Sequence, residues 1–305
     1  MAKKLKNVKI RESKWDVVLD VITSIILILF TLIVLYPLIY VISCSFSSSE
    51  ALSGGLVVLW PVDFTLQAYD FVMAYKDVWV GFRNSLLYCV VDCLFQMSCT
   101  IMMAYALSRS YCQGRKFYTW YFFMTTRFSA GLTPIFILKC SLGLFDNVWA
   151  ILIGGVIAVG HVLILRTAIN TTIPSELHDA AMMDGANHFQ TVFKLVLPLC
   201  KATLSVLCLY CLVGQWNEYF NAMIFLRDKR YYPLQLVLRP IMTAASMVGQ
   251  METGDMAASY QQQADQGLEN VRYALIIISS TPVIILYFFV QKYFKGGMMM
   301  GSVKG

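Results

Sequence analysis

The chain has 305 residues, of which 58% are hydrophobic and 14% charged, and its mean hydropathy is +0.63. That excess of apolar side chains exceeds what a soluble domain hides, so lipid must solvate much of the surface. The formal net charge of +6 reads as a membrane-topology signal, and no nucleic-acid partner is inferred from it.

In chain order, a basic segment (1–20) precedes the first of six runs long enough to cross ~30 Å of hydrocarbon at about 1.5 Å per residue. The runs are residues 21–43, 85–108, 117–138, 148–165, 202–225 and 273–290. They lack the alternation of a barrel, and lipid tolerates only helices or closed barrels, so an all-α integral membrane protein is expected. The transmembrane domain is placed at 21–296, with a short tail at 297–305. Val41-Ile-Ser-Cys44 resembles a lipoprotein processing box. The apolar run before it is longer than a signal core of about 7–15 residues, so it reads as a span.

Lysine and arginine set the orientation. Fifteen of the 24 fall in the N-terminal segment, the loops after the second and fourth spans, and the tail. Positive charge is retained in the cytoplasm, so both termini are expected there. On the opposite side, residues 46–84 carry Trp60, Tyr69, Phe71, Tyr75 and Trp79. This loop reads either as an interfacial segment or as a docking surface for an external protein. The longest polar insertion is the second outer loop, 226–272.

The nine cysteines form no Cys-x-x-Cys pair, and five of them (Cys89, Cys93, Cys99, Cys208, Cys211) lie in spans, where thiols pack as small apolar groups. Cys44 and Cys140 both fall near the outer face, where they either pair or, as the favoured reading, pack as thiols. His161, His178 and His188 are not at ligand spacing with cysteine, so no metal site is expected. There is no phosphate-cradling Gly-x-x-x-x-Gly-Lys-Ser/Thr loop, no His-Glu-x-x-His and no Gly-x-Ser-x-Gly. Nothing on the chain points to catalysis, and no cofactor is expected on it.

The polar loop 166–201 holds the most informative stretch, Pro174-Ser-Glu-Leu-His-Asp-Ala-Ala-Met-Met-Asp-Gly-Ala186, closed by Leu195-Val-Leu-Pro198. Pro174 fits the first helical position, and Glu176 and Asp179 favour the positive end of the helix dipole. Ala180, Ala181, Met183 and Ala186 keep one face small and apolar. Gly185 can take positive φ, end the helix and redirect the chain. A second amphipathic helix follows with Phe189, Val192, Phe193 and Leu197 on one face, stopped at Pro198. Two short helices at an angle suit the transmission of force between rigid bodies.

That layout resembles the cytoplasmic coupling loop of bacterial ABC-importer permeases, whose signature runs Glu-Ala-Ala, then Gly four residues on, an apolar residue, Leu and Pro. Ala104-Tyr-Ala-Leu-Ser-Arg109, Asn84-Ser-Leu86, Leu142-Gly-Leu144, Trp216-Asn217, Gln291-Lys-Tyr-Phe-Lys-Gly296 and Gly301-Ser-Val-Lys-Gly305 extend the likeness from about residue 15 to the end. Together they resemble the smaller permease subunit of the maltose-type family, the MalG-like proteins. Gly131-Leu-Thr-Pro134 and Tyr232-Pro-Leu-Gln-Leu-Val-Leu238 resemble a branch associated with complex oligosaccharides or polysaccharide fragments.

The resemblance implies the type I ABC importer permease fold and ATP-driven, binding-protein-dependent oligosaccharide uptake by alternating access. The implied partners are a second permease in a heterodimer, an ATPase dimer holding ATP and Mg, and an extracellular solute-binding protein. Glu176, Asp179, Ala180, Ala181, Asp184, Gly185 and Ala186 would dock on the ATPase, and Val303, Lys304 and Gly305 would lie near the ATPase dimer. Asp179 stands where the family usually has Glu, which shortens its reach by one methylene.

Charges inside the spans need a reason. Arg127 reads as mid-span, and Asp92 and Glu218 lie about 10 Å below the outer helix ends. Either the three neutralise one another and fix packing, or they line a sugar pathway with Trp216, Asn217 and Asn221. A self-sufficient secondary transporter is the alternative. It predicts paired repeats and midplane helix breaks, which the sequence does not display. A membrane-embedded enzyme lacks a catalytic constellation.

Overall fold

The computed structural model describes residues 14–128, 130–155, 157–248 and 268–301. Every regular element among them is helical. Two compact units separate by contact, Met1–Tyr69 with Val248–Ile277, and Asp70–Met247 with Ile278–Gly305.

The first unit carries α1 (Lys14–Ser45), whose side chains from Trp15 to Ile39 are all exposed, as a lipid-facing helix requires. After it, α2 (Ser49–Ser53) starts at Ser48, whose hydroxyl accepts from Ala51 N–H at 3.2 Å. A small core of Cys44, Ala51 and Val57 is closed by Tyr40, Leu52, Val62 and Tyr273. Buried Asn270 donates to Ser47 O at 3.0 Å. Cys44 is a free thiol in that core, and all nine cysteines are free.

α3 (Gln67–Ala74) leads to the second unit, which is built around α4 (Lys76–Ser108). This helix starts at Lys76, earlier than the expected 85, because Val78, Gly81, Asn84 and Ser85 are buried packing positions and not a helix end. Next come α5 (Arg115–Thr125), α6 (Leu132–Ser141), α7 (Trp149–Leu152) with a 3-10 turn at Ile153–Gly155, and α8 (Val159–Thr172). α4 packs on α8 and, through the later α12 (Lys201–Trp216), forms the core. There Ala104, Leu107, Val162, Leu165, Ile169 and Leu207 are buried together. Cys93 and Cys208 meet across α4 and α12 with their sulfurs 3.2 Å apart, packing as small apolar groups.

Four helices are long and apolar enough to cross a membrane among the described residues, or five if one bent pair counts as a span. The third expected run, 117–138, is split into α5 and α6. Pro134 has no N–H for residue 130 and would clash with that turn, while Gly131 at φ +80 redirects the chain. The fifth run, 202–225, breaks after Trp216, and α13 (Phe220–Phe225) follows with Tyr219 as its N-cap; the Glu218 carboxylate before it accepts from Asn221 N–H at 2.8 Å. Polar Asn217 and Glu218 make that break. The fourth run is interrupted after Gly155. Helix breaks within the spans, which the sequence did not display, are therefore present.

Near the start of α4 the 230–234 segment is stapled down. Asn84 Nδ2 donates to Arg230 O (2.7 Å) and Tyr232 O (3.1 Å), and Tyr88 Oη donates to Tyr231 O at 3.0 Å. Ser85 Oγ accepts from Leu234 N–H at 2.8 Å, the first residue of α14 (Leu234–Val248). The Asn84-Ser-Leu86 and Tyr232-to-Leu238 stretches, far apart in sequence, thus meet in space. α15 (Leu268–Gly301) closes the chain. The stretch 251–266 and the tail residues Val303, Lys304 and Gly305 lie outside the described residues.

Candidate functional site

The site begins with α9 (Ser175–Met183). Pro174 is its N-cap with ψ 147, one position before the expected first turn, so the helix proper starts at Ser175. Its end is a Schellman turn: Ala186 N–H reaches Ala181 O and Gly185 N–H reaches Met182 O, each at 3.0 Å. Gly185 sits at φ +78, the left-handed conformation that the turn requires.

Immediately afterwards Asn187 caps α10 (His188–Thr191). Its Oδ1 accepts from Gln190 N–H at 2.8 Å, and Gln190 Oε1 accepts from Asn187 N–H at 3.0 Å. This reciprocal capping box was missed in the sequence, although Asn-x-x-Gln before an apolar run signals it. The second helix runs through a π turn (Val192–Val196) into α11 (Leu197–Leu199). Pro198 cannot donate to the turn before it, so the ladder widens, and Leu197 N–H bonds to Val192 O. At Cys200 the path bends by 88° into α12.

α9 has two unlike faces. Outward lie Glu176, Asp179, Ala180, Asp184 and Gly185, all exposed, with Ala181 and Ala186 half-buried beside them. A shallow cleft of about 520 Å³ runs along Ala181, Asp184, Gly185, Ala186, Gln190 and Lys194. Inward, His178 is the one buried residue of α9. It packs at 6.2 Å against Tyr105 of α4, and neither ring nitrogen has a hydrogen-bond partner among the described residues. His188 extends the same contact, with Nδ1 3.3 Å from Tyr105 Oη and 3.4 Å from Tyr111 Oη. Buried Arg109 lies over the Tyr105 ring at 5.5 Å.

Burial, and then the Arg109 charge, push His178 down to about 4, with Asp179 opposing. The docked imidazole is neutral at pH 7. Below about pH 6.5 the undocked form takes a proton that the docked form refuses. Docking of α9 therefore weakens as pH falls from about 6.5 towards 4. Hydrogen exchange of the α9 amides, corrected for intrinsic rate, should rise between pH 7 and pH 5 in the native chain and stay level in H178F. Equal pH dependence in both would refute the role given to this imidazole.

The expected triad of intramembrane charges is not assembled. Arg127 lies in the exposed link between α5 and α6, over the Phe123 ring at 5.1 Å. Asp92 is buried on α4 beside Gly155, its Oδ1 without a partner among the described residues. Glu218 stands just before α13, and its charge acts on Lys139, which donates to Ala150 O at 2.6 Å and stands over Phe225 at 4.4 Å. A lysine inside the apolar run 135–142 was the available signal for it. Trp216 is buried, edge-on to Phe82, and donates to Ser279 O at 2.9 Å. Asn217 is exposed and bonds back to Val213 O, and Asn221 is half-buried on α13. No group of three or more His, Cys, Asp or Glu among the described residues is placed to hold a metal ion.

A coupling-type helix pair on a broken-span bundle is accompanied by a family match over nearly the whole chain. The model described as "Binding-protein-dependent transport system inner membrane component" matches residues 9–299. The chain belongs to that family. It is a multi-pass inner-membrane transport permease. It is 32% identical over 280 residues to the polygalacturonan/rhamnogalacturonan transport system permease protein YtcP of Bacillus subtilis, covering 92% of this chain and 96% of that one. Protein LplC of the same organism is 30% identical, with 90% of each covered. Among solved structures, a chain of a bacterial ABC transporter involved in the import of the acidic polysaccharide alginate superposes with a TM-score of 0.82 at 34% identity. It covers 94% of this permease and 100% of that chain. The fold is thus that of a type I ABC importer permease.

Proposed function

We propose that this permease carries acidic oligosaccharides, fragments of a uronate-containing polysaccharide, across the membrane by alternating access and has no catalytic activity of its own. The reading rests on one observation above all: an exposed, small-residue α9 face held by a buried contact to α4, in a chain with the fold of a permease from an alginate importer. Six spans with both termini in the cytoplasm fit the distribution of lysine and arginine. On this reading the Asp179-to-Ala186 surface seats on a separate ATPase, which holds ATP and Mg. A second permease completes the pathway, and a solute-binding protein delivers the sugar. On this reading Asp92, Lys139 and Glu218 are charges that could line such a pathway.

The helix breaks inside the spans are also what a secondary transporter would use at its midplane, so the energy source is the point to test. Uptake of a labelled unsaturated oligogalacturonate by cells expressing the system should require the ATPase gene product and survive collapse of the proton gradient. Uptake that stops with the gradient and persists without the ATPase would overturn the proposal.

A further inference from the structure

At the end of the bundle that carries the coupling helices, α5 and α8 enclose a cleft of about 340 Å³. Arg115, Lys116, Trp120 and Phe123 line it from α5, and Leu163 and Arg166 from α8, so cations and apolar side chains share the cleft. Arg166 is anchored by Nε–H donation to Leu107 O at 3.1 Å, two residues from the Tyr105 that meets His178 and His188. Arg115 is close enough for its charge to repel that of Arg166. No carboxylate lines the cleft. Three cations gathered without a carboxylate, two of them half-buried, make a positive cleft that attracts an anion.

The apolar wall indicates which anion. Phe117, Trp120 and Tyr121 of α5 are exposed by 65%, 60% and 55%. Amphipathic rings at a helix end of this kind mark the boundary between headgroups and acyl chains. A soluble anion makes no use of Trp120, Phe123 and Leu163, whereas a lipid whose phosphate meets the cations lays its chains along them. Basic pockets between membrane helices on the cytoplasmic side recognise anionic headgroups in this way.

We propose that this cleft binds the phosphate of an anionic phospholipid, such as phosphatidylglycerol, next to the coupling loop. The site is independent of the transported substrate.

The test uses the complex purified with this chain from its native membrane, as wild type and as R115Q/K116Q, which leaves the anchored Arg166 in place. Native mass spectrometry should find phosphatidylglycerol retained by the wild type and lost from the variant. In nanodiscs, adding phosphatidylglycerol to phosphatidylcholine should raise the Tm of the wild type alone. At about 1 kcal/mol per basic residue, two replacements weaken lipid binding roughly 30-fold. Equal melting of the two proteins in pure phosphatidylcholine shows that the variant is folded. If the double variant does not accumulate, K116Q, at an exposed position, serves with a smaller loss of roughly fivefold. Equal lipid retention in wild type and variant would overturn the proposal. So would stabilisation reproduced by inorganic phosphate, which means a plain anion site. Loss of a protein subunit from the variant would also overturn it, since the surface would then hold a protein.

Discussion

Replacing Ala180 with tryptophan is expected to lower transport by about 100-fold while leaving the chain folded in the membrane. Ala180 is exposed on the outward face of α9, so the new ring has room in the isolated permease. On the proposed coupling role, the ring fills the space that a partner's groove must occupy. Side chains at the centre of such contacts carry about 2–4 kcal/mol each, which sets the scale of the loss. The measurement is uptake together with ATP hydrolysis in the reconstituted complex. Both should fall, and the amount of chain in the membrane should not. Gly185 gives a paired control. G185N should keep most of the activity because asparagine tolerates positive φ, whereas G185V at φ +78 should lose it. Full activity in A180W would remove α9 from the coupling contact.

Gly81→Leu is expected to abolish the folded protein instead. A Cβ built on Gly81 would stand 3.1 Å from Leu234 Cα, 3.2 Å from Leu234 N and 3.0 Å from Val237 Cγ2. Two of those neighbours are backbone atoms and cannot rotate away, so α4 and α14 must separate. Separation also breaks the hydrogen bonds that Asn84 and Tyr88 donate to the 230–234 segment and the one that Ser85 accepts from it. Overpacking costs about 1–3 kcal/mol even where side chains yield, and a clash with main chain exceeds that range. Membrane abundance and thermal unfolding monitored by tryptophan fluorescence should both drop sharply for G81L, and to a lesser degree for G81A. Native-like melting of G81L would mean that the close approach of α4 and α14 is not needed for stability.

The positions that the sequence revealed are those governed by local rules. The end of α9 could be placed because glycine alone accepts φ +78 cheaply, and the turn there needs that angle. Likewise, the apolar runs announced a helical membrane protein because lipid leaves a chain few alternatives. What stayed hidden depends on tertiary contacts or on competition between neighbours. The run 117–138 looked continuous because its mean hydropathy masks Arg127 and Pro134, and the structure parts it between them. Arg127, Asp92 and Glu218 shared a depth along their helices, but depth says nothing about which faces meet, and Lys139 took the place beside Glu218. The burial of His178 had no sequence signal, since it comes from Tyr105, more than 70 residues earlier in the chain. The tie between Asn84 and the 230–232 segment is of the same kind.

The right-angle bend at Cys200 gives the loop a mechanical character. The segment 188–199 is about 18 Å long at 1.5 Å per residue, and α12 leaves it at 88°. On the proposed coupling role, the pair would work as a bell crank pivoted at the single residue between its arms. A push across the short arm would emerge as a sideways swing of the transmembrane arm, turned through a quarter circle. A tilt of about 5° at the pivot carries the far tip about 1.5 Å, comparable with the helix shifts by which packed interfaces change state. On that role, the stiffness of the joint, which Pro198 and the widened turn before it would set, would fix how much of the stroke reaches the membrane.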